Sequence, residues 1–539
     1  MSTFTKNQRN LVSVLLSAAL ISLSVVAAPA QAAATGPLCG PSTNAVVSCG
    51  GTTSDGAKYA MQVPDNFNGT VFLYSHGYTY AIDIPGMYTM ASVLNNPVPG
   101  PIGPLAPTKV DMMTINSLLA SGYAVVGSTF PVLGWNVKEA IATNVELIGI
   151  FKKKFTDTKK VIAWGESLGA FITQALAEKY PKLIDGAGLM CPALGNVAAT
   201  VTTGGDFLWG LKTMFAPTLT GRNYAAGEAG LRQVYADLQI LTSLGDALKT
   251  SIGTELVTNT PSWPAGAPGA LALGAVPVRS VVLYLGLMSG IPTRSAHLDG
   301  ISGPGAAGST TAFGFATMGS PALAVLQNGF DAAGLAVLAT YDLEKQSGGA
   351  FFDNTTTDYA KRITVEKSIY NTPLSGATAI AGIGAYLANP AVARWAATPA
   401  AAAKFATQIK HTGKLSDPTV VLAATEDPVT SEGNTQWLIN QQKTAAAKAK
   451  LLVLWNKPAD QYTKFTAAGQ PDTSGPKANG TGHCNFTADQ YLAVAYMLAD
   501  AVENNGKLDT GVVRSWAVSS AEGLSITPRT GRMQKYYQK

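Results

Sequence analysis

The stretch VIAWGESLGAFITQALAEKY, Val161 to Tyr180, constrains this chain more than any other. A run of buried-type residues ends in Gly165-Glu166-Ser167-Leu168-Gly169 and continues at once with helical spacing. A Gly-x-Ser-x-Gly pentapeptide between a strand and a helix is typical of a sharp turn that raises the serine above a sheet. The N-terminus of the following helix favours negative charge near that serine. The pattern predicts a nucleophilic Ser167, and the simpler alternative is a helix-capping serine in a tight turn.

Short apolar runs alternate with helical patterns on both sides of this turn. We predict strands over residues 58–64, 70–75, 123–129, 159–164, 186–191, 418–425 and 450–456. Helical spacing covers residues 136–154, 168–180 and 435–447, and Thr487 with Gln490 forms a capping box at the start of a last helix. This alternation predicts an α/β fold with a mostly parallel sheet flanked by helices.

The pattern loosens between the two groups of strands, over residues 195–410, which are rich in Ala, Gly, Thr and Pro. This length is within the range of a domain, and we predict a large inserted cap or lid that interrupts the α/β core. The core then comprises residues 33–194 and 411–510. Residues 511–539 are predicted to form a solvated C-terminal tail.

Residues 1–32 have the layout of a secretory signal peptide. Lys6 and Arg9 precede an apolar stretch over residues 11–28, and Ala30-Gln31-Ala32 is a small-x-small cleavage site. We expect cleavage near Ala32, and the alternative is an uncleaved membrane anchor. No later segment is expected to be long and apolar enough to span a membrane. The mature protein is therefore predicted to be secreted, either extracellular or periplasmic, without stable membrane insertion.

The charge balance argues against a nucleic-acid partner. The formal net charge is +5, and removal of Lys6 and Arg9 with the leader lowers it to +3. A nucleic-acid-binding domain normally has a much larger excess of clustered Lys and Arg residues. We therefore expect no nucleic-acid partner.

The chain has four cysteines: Cys39, Cys49, Cys191 and Cys484. In an exported protein they can form disulfides. Cys39 and Cys49 flank a short polar segment, and a local bridge between them is the natural pairing. Four cysteines allow three connectivities, so the state of the other two is open at this point. The spacings match no zinc pattern, and we expect neither a metal nor an organic cofactor.

A nucleophilic serine requires a base, and the chain has four histidines: His76, His297, His411 and His483. For this type of turn the expected order is serine, acid, histidine, with the histidine in a loop after the last strand. His483, in GTGHCNFT, has that place and is predicted to be the general base. His76 is expected to anchor its own loop, and His297 and His411 are expected to be surface or packing residues.

The acid is expected just after the strand over residues 418–425. Asp427 is our first choice, because the Pro-Val that follows can turn its carboxylate toward His483 and orient the imidazole. Glu426 is the second candidate. The oxyanion needs two backbone N–H donors, and we predict those of Leu168, after the nucleophile, and of Tyr78, in the sequence LYSHGYTY.

These residues together resemble the α/β-hydrolase family, in the order of that family. The resemblance rests on Ser75-His76-Gly77-Tyr78, the pentapeptide around Ser167, Asp427 and Gly482-His483-Cys484. The sequence GWNVKEAI, Met190-Cys191-Pro192 and the His-Cys-x-Phe-Thr ending are similar to secreted bacterial serine esterases and hydrolases. The resemblance covers about residues 60–500 with the middle excepted, and it implies the α/β-hydrolase fold.

The resemblance also implies that Cys191 and Cys484 both lie at the carboxyl edge of the sheet. We therefore hypothesise a Cys191–Cys484 disulfide that holds the histidine loop near the active site. The alternative is two buried free cysteines, since unpaired cysteine is often buried.

The predicted reaction is a two-step acyl transfer in which Ser167 attacks an ester carbonyl and water hydrolyses the acyl-enzyme. Hydrolysis of small-molecule or polymeric carboxylic esters is the first hypothesis. A secreted serine exopeptidase on the same triad is the second, with Asp353 and Asp358 as candidates to bind an amino terminus, although a solvated turn explains them more simply. The third hypothesis is a non-catalytic binding or cell-wall interaction protein, and a polyester depolymerase is a further option.

Overall fold

The computed structural model describes residues 35–84, 105, 111–306, 308–508, 511 and 523–529. The predicted signal peptide, residues 1–32, lies outside these ranges, as does most of the C-terminal tail. The strands are β1 (Thr35–Cys39), β2 (Val46–Thr52), β3 (Lys58–Pro64), β4 (Thr70–Ser75), β5 (Ala124–Ser128), β6 (Lys160–Glu166), β7 (Gly186–Met190), β8 (Thr419–Ala424), β9 (Leu451–Asn456) and β10 (Leu524–Ser525).

One mixed sheet contains all of these strands, in the order β1-β2-β3-β5-β4-β6-β7-β8-β9-β10. Neighbours from β5 to β9 are parallel, and β1, β2, β3 and β10 join antiparallel at the two ends. Every residue of β4, β5, β7 and β8 is buried, as expected for parallel strands covered on both faces. The carboxyl ends of the parallel strands therefore meet along one edge of the sheet.

Helices cover both faces of this sheet. The core helices are α1 (Asp111–Ala120), α2 (Val137–Lys154) and α3 (Leu168–Lys179) before β7, and α14 (Glu432–Gln441), α15 (Ala445–Lys448) and α16 (Ala488–Glu503) after β8. The side chains of strand β4 show which helices cover each face of the sheet. Val71 and Leu73 pack in one apolar cluster with α2 and α3, whereas Phe72 and Tyr74 pack in a second cluster with α1 and α16. Successive side chains of a strand point to opposite faces, so one apolar run supplies both clusters.

The mixed α/β architecture expected from the sequence is confirmed, and each predicted strand matches an observed strand to within two residues at either end. The structure departs from the expectation in several places. Strands β1 and β2 were not predicted, because their Gly-, Thr- and Ser-containing sequence has no clear apolar alternation. The single helix expected over 435–447 is two helices, because the Thr444 side chain accepts a hydrogen bond from the Ala447 N–H and starts a new one.

Residues 195–410, called here the helical segment, leave the sheet after β7 and return before β8. Its helices are α4 (Val197–Met214), α5 (Gly227–Thr258), α6 (Gly269–Leu273), α7 (Val278–Ser289), α8 (Thr310–Met318), α9 (Ser320–Ser347), α10 (Tyr359–Arg362), α11 (Glu366–Ile369), α12 (Gly376–Ala388) and α13 (Pro399–Phe405). The two ends of the segment meet. The His411 N–H donates to the Gly195 carbonyl at 3.0 Å, and the Gly195 N–H donates to His411 Nδ1 at 3.0 Å.

Helix α9 corrects one expectation, because it is long and apolar enough to cross a membrane by length and composition. Of its most apolar window, 56% is buried within the protein. It packs against α4, α5 and α7, and its Asp342 and Glu344 accept hydrogen bonds from other segments. Its apolar composition is therefore accounted for by its place at the centre of the helical segment.

Part of the C-terminal tail lies on the core and is not a solvated end. Leu524–Ser525 pairs with β9. The Arg529 guanidinium lies 2.8 Å from the Glu432 carboxylate and 5.7 Å from the centre of the Trp455 ring. These contacts hold residues 523–529 against the last strands of the sheet.

Candidate active site

Two glycines allow the turn at the end of β6. Gly165 lies opposite Ser75 of the neighbouring strand, and a Cβ on Gly165 would approach the Ser75 carbonyl oxygen to 2.6 Å. A Cβ on Gly169 would overlap the same stretch of main chain. Ser167 between them has a φ of 55°, a left-handed conformation that is strained for a residue with a side chain. The close packing of β4 against the turn therefore requires glycine on both sides of the serine.

Ser167, His483 and Asp427 form a continuous hydrogen-bonded row. His483 Nε2 lies 2.8 Å from Ser167 Oγ, and His483 Nδ1 lies 2.9 Å from Asp427 Oδ2. The three side chains come from loops after β6, β9 and β8, which end along the same edge of the sheet. Asp427 is fully buried, while the His483 side chain is 23% exposed. The structure thus brings together the three residues expected to form a triad.

A tight turn holds the Asp427 carboxylate. Its Oδ1 accepts from the Val429 and Thr430 N–H groups at 2.8 and 2.9 Å, and its Oδ2 lies 2.9 Å from Thr430 Oγ1. The Thr430 hydroxyl is also 2.9 Å from the Cys191 carbonyl. Thr430 was missed at the level of sequence, although an aspartate followed three residues later by threonine is typical of such a side-chain-to-backbone turn.

Glu426, the second candidate for the acid, has a different place. Its N–H donates to the Gly480 carbonyl at 3.0 Å, and its carbonyl accepts from the Gly482 N–H at 3.2 Å. Its main chain therefore supports the loop that carries His483. The adjacent Asp427, rather than Glu426, contacts the imidazole.

The histidine loop has two glycines and a disulfide. Gly480 and Gly482 have φ values of 70° and 73°, which residues with side chains rarely adopt. Cys484 is bonded to Cys191, and its sulfur lies 3.4 Å from His483 Nε2. The second disulfide, Cys39–Cys49, joins directly opposed residues of β1 and β2.

Glu166, next to the nucleophile, connects the turn to the histidine loop. Its carboxylate accepts from the Tyr74 hydroxyl at 3.0 Å and from the Tyr491 hydroxyl at 2.9 Å. The Tyr491 oxygen also lies 3.4 Å from the Cys484 carbonyl. Burial, and then the neighbouring Glu166 charge, raise the pKa of Tyr491 well above its usual value, so this hydroxyl stays protonated as a donor.

The loop after β4 lies beside the nucleophile. A Cβ on Gly77 would lie 3.4 Å from the Ser167 Cβ, so the main chain of this loop passes close to the serine. Tyr78 follows, and its hydroxyl donates to Asp342 of the helical segment at 3.2 Å. Asp342 also accepts from the Trp135 N–H at 2.7 Å, and burial raises its pKa. The helical segment thus contacts two loops at the rim of the site.

The other three histidines all make structural contacts. Both ring nitrogens of His76 face backbone carbonyls, those of Gly77 and Thr129, and burial lowers its pKa. The two ring nitrogens of His297 lie 3.0 Å from the Gly475 carbonyl and from Gln327, which ties the helical segment to the chain leading into the histidine loop. His411 is buried where the helical segment ends.

Comparison with known proteins gives distant similarities. No family model matches the chain, and no curated protein matches it. Among solved structures, feruloyl esterase B from Aspergillus oryzae is 13% identical over 86% of this chain and 81% of its own, with a TM-score of 0.36. The cell wall degrading esterase LipA from Xanthomonas oryzae is 13% identical over 76% and 82%, with a TM-score of 0.29.

A thermostable carboxyl esterase from Bacillus coagulans is 12% identical over 30% of this chain, with a TM-score of 0.21. The match covers 49% of that esterase, so the chain spans about half the length of this neighbour. At this level of similarity, function has to be inferred from the site itself.

Proposed function

We propose that this protein is a serine hydrolase that cleaves carboxylic esters. The proposal rests on the hydrogen-bonded row of Ser167, His483 and Asp427. Ser167 Oγ lies 2.8 Å from His483 Nε2, and His483 Nδ1 lies 2.9 Å from the Asp427 carboxylate. A nucleophile within hydrogen-bond reach of a base, which a third group orients, is the arrangement required for acyl transfer through a covalent intermediate.

The geometry assigns a role to each of the three side chains. The Asp427 carboxylate accepts a hydrogen bond from the His483 Nδ1–H, which keeps the proton on Nδ1 and leaves the Nε2 lone pair directed at the Ser167 hydroxyl. As Ser167 attacks the ester carbonyl, Nε2 takes the hydroxyl proton, and the buried carboxylate stabilises the imidazolium. The same Nε2 proton then passes to the leaving alcohol. Water, activated by His483, finally hydrolyses the acyl-enzyme.

Two backbone amides are proposed to stabilise the oxyanion. The Leu168 N–H is in the first turn of α3, where N–H groups have no partner within the helix. The Tyr78 N–H is in the loop whose Gly77 lies against the nucleophile. Such preorganised donors, with the positive end of a helix dipole, favour the charge that develops on the carbonyl oxygen.

We also propose that the core has the α/β-hydrolase fold and that the helical segment forms its cap. The strand order, the loops that carry the triad and the position of residues 195–410 after β7 support this proposal. Secretion through the signal peptide remains a prediction. Two disulfides fit an oxidising compartment such as the periplasm or the extracellular medium.

Esters are preferred to peptides because the candidate amine-binding acids have local roles. Asp353 accepts from Thr355 and from the Ala397 N–H, and Asp358 accepts from the Lys361 N–H at the start of α10. Both carboxylates therefore stabilise turns of the helical segment. The exopeptidase and the polyester depolymerase stay open as hypotheses that the experiment separates.

The test is hydrolysis of p-nitrophenyl esters of short and medium acyl chains, beside aminoacyl p-nitroanilides and a polyester film. We expect ester turnover, with a loss of about 10⁴-fold or more in kcat for Ser167→Ala. Ser368→Ala, at an exposed serine of the helical segment, is the matched control and should leave kcat unchanged. Ester turnover that persists in Ser167→Ala would refute the proposed nucleophile, and cleavage of anilides in place of esters would identify a peptidase.

A further inference from the structure

The catalytic base is the neighbour of a disulfide. Three possible metal-ligand atoms lie within 4.8 Å of one another: the two sulfurs of Cys191 and Cys484 and a ring nitrogen of His483. The Cys484 sulfur is 3.4 Å from His483 Nε2, the same atom that faces Ser167. Two sulfurs and an imidazole are the donors that zinc prefers. The disulfide keeps both sulfurs from acting as thiolates.

We propose that reduction of the Cys191–Cys484 disulfide creates a Cys₂His site for a thiophilic divalent cation such as Zn²⁺. A dithiol reductant supplies two electrons and two protons, which break the S–S bond and leave two thiols. Binding of Zn²⁺ then forms two Zn–S bonds and one Zn–N bond and releases the two thiol protons. The ion with its two thiolates and a neutral imidazole has no net charge, which limits the cost of placing it in a buried site.

The distances suit tetrahedral coordination. Zn–S and Zn–N bonds of about 2.3 and 2.0 Å at a tetrahedral angle place a sulfur and a nitrogen about 3.5 Å apart. The observed separation of the Cys484 sulfur and His483 Nε2 is 3.4 Å. The Cα atoms of the two cysteines are 5.3 Å apart, so rotation of two short side chains brings both sulfurs to one ion.

His483 already has the hydrogen-bond partner that a metal-bound histidine usually has. Zinc-bound histidine usually donates its second ring N–H to a carboxylate, which fixes the tautomer and makes the ligand nitrogen more basic. Asp427 accepts from Nδ1 at 2.9 Å and therefore presents the Nε2 lone pair. Three protein ligands leave the fourth position of a tetrahedral ion to water. The Ser167 oxygen, 2.8 Å from Nε2, has to turn away from the lone pair when the ion binds.

Metal binding would switch off the base. An ion on Nε2 occupies the lone pair that takes the Ser167 proton, so the metal-loaded protein has no general base. This consequence rests on the proposed hydrolase function, whereas the binding of the ion does not. With the disulfide intact, the activity of the oxidised protein would not respond to zinc. In a reducing environment that contains zinc, the hydrolase activity would be lost.

The experiment uses the mature chain with Cys39→Ser and Cys49→Ser, so that only the thiols of interest remain. The protein is reduced with a phosphine, desalted without oxygen and titrated with Co²⁺, which absorbs by thiolate-to-metal charge transfer. We expect one Co²⁺ per chain, displaced by one Zn²⁺, and no such absorption in the oxidised protein. His483→Gln should weaken Co²⁺ binding at least 10-fold, and Cys191→Ser, which leaves one thiolate, should lower the charge-transfer band by at least half.

Ser167→Ala in the same background separates this inference from the proposed function, because it should bind Co²⁺ although it is inactive. In the reduced active protein, one equivalent of Zn²⁺ should abolish ester turnover and EDTA should restore it.

Three results would overturn the inference. The first is the absence of a charge-transfer band after reduction, and the second is a band that His483→Gln does not weaken. The third is loss of the native circular dichroism on reduction, since the ligands would then be dispersed.

Discussion

A fall in pH should destabilise this protein through His411, which is buried where the helical segment ends. Its Nδ1 accepts from the Gly195 N–H, so its proton is on Nε2, which donates to the Phe171 carbonyl at 2.9 Å. A second proton would remove the acceptor and bury a charge. Burial is the largest cause that lowers the pKa of His411 to about 4, and the nearby Glu178 charge acts in the opposite direction.

The size of the effect follows from proton linkage. The ordinary pKa of 6.5 applies in the unfolded chain and a pKa of about 4 in the folded protein, so the unfolded chain binds the proton first. The contribution of neutral His411 to the free energy of unfolding is fully present above pH 6.5, the pKa in the unfolded chain, and is lost as the pH falls toward 4. Between pH 7 and pH 5 the free energy of unfolding should decrease by about 2 kcal/mol, and the loss should approach about 3 kcal/mol near pH 4.

Urea unfolding at pH 7 and pH 5 measures this loss. His411→Gln retains a donor and an acceptor but does not titrate. The loss in the wild type minus the loss in the variant isolates His411, because other groups, such as His76 with its lowered pKa, contribute to both. We expect a difference of about 2 kcal/mol. An equal loss in the two proteins would refute the assignment of His411 as a buried neutral imidazole.

Gly169→Ala should reduce the free energy of unfolding by about 3 kcal/mol or more, because the added Cβ overlaps the main chain of β4. Gly149→Ala is the control: no atom lies within 4 Å of its added Cβ, so it should stabilise α2 by up to about 1 kcal/mol. Urea unfolding measures both changes. Thr430→Val removes a hydroxyl from the triad carboxylate and should lower kcat at least about 10-fold with KM unchanged, and Thr430→Ser should restore kcat. An unchanged kcat in the valine variant would contradict this role. Arg362→Met leaves the buried Asp206 of α4 without its ion-pair partner and should cost about 3 to 5 kcal/mol, while Arg232→Met, in an exposed pair, should leave the free energy of unfolding nearly unchanged. Similar losses in these two variants would show that burial does not set the strength of the two ion pairs.

Much of the core could be predicted because its signals are local. Each parallel strand is a short apolar run, since both of its faces are covered, and the turns around Ser167 and His483 are marked by glycines that the backbone requires there. The choice of Asp427 and His483 then followed from the order serine, acid, histidine that is expected for this turn and from the position of each residue after a strand. The outer strands β2 and β10 lack this signal, because they are only partly buried at the ends of the sheet and their composition is less constrained.

The sequence by itself therefore determined the buried parallel strands, the strained serine turn and the loops that carry the three polar side chains. The tertiary structure decided which atoms meet. Asp427 and not Glu426 faces His483, Thr430 holds the carboxylate, and Asp342 reaches Tyr78 from 264 residues away. Periodicity and turn chemistry report on a few neighbouring residues, whereas these contacts depend on how strands end side by side and on the path of the chain between them.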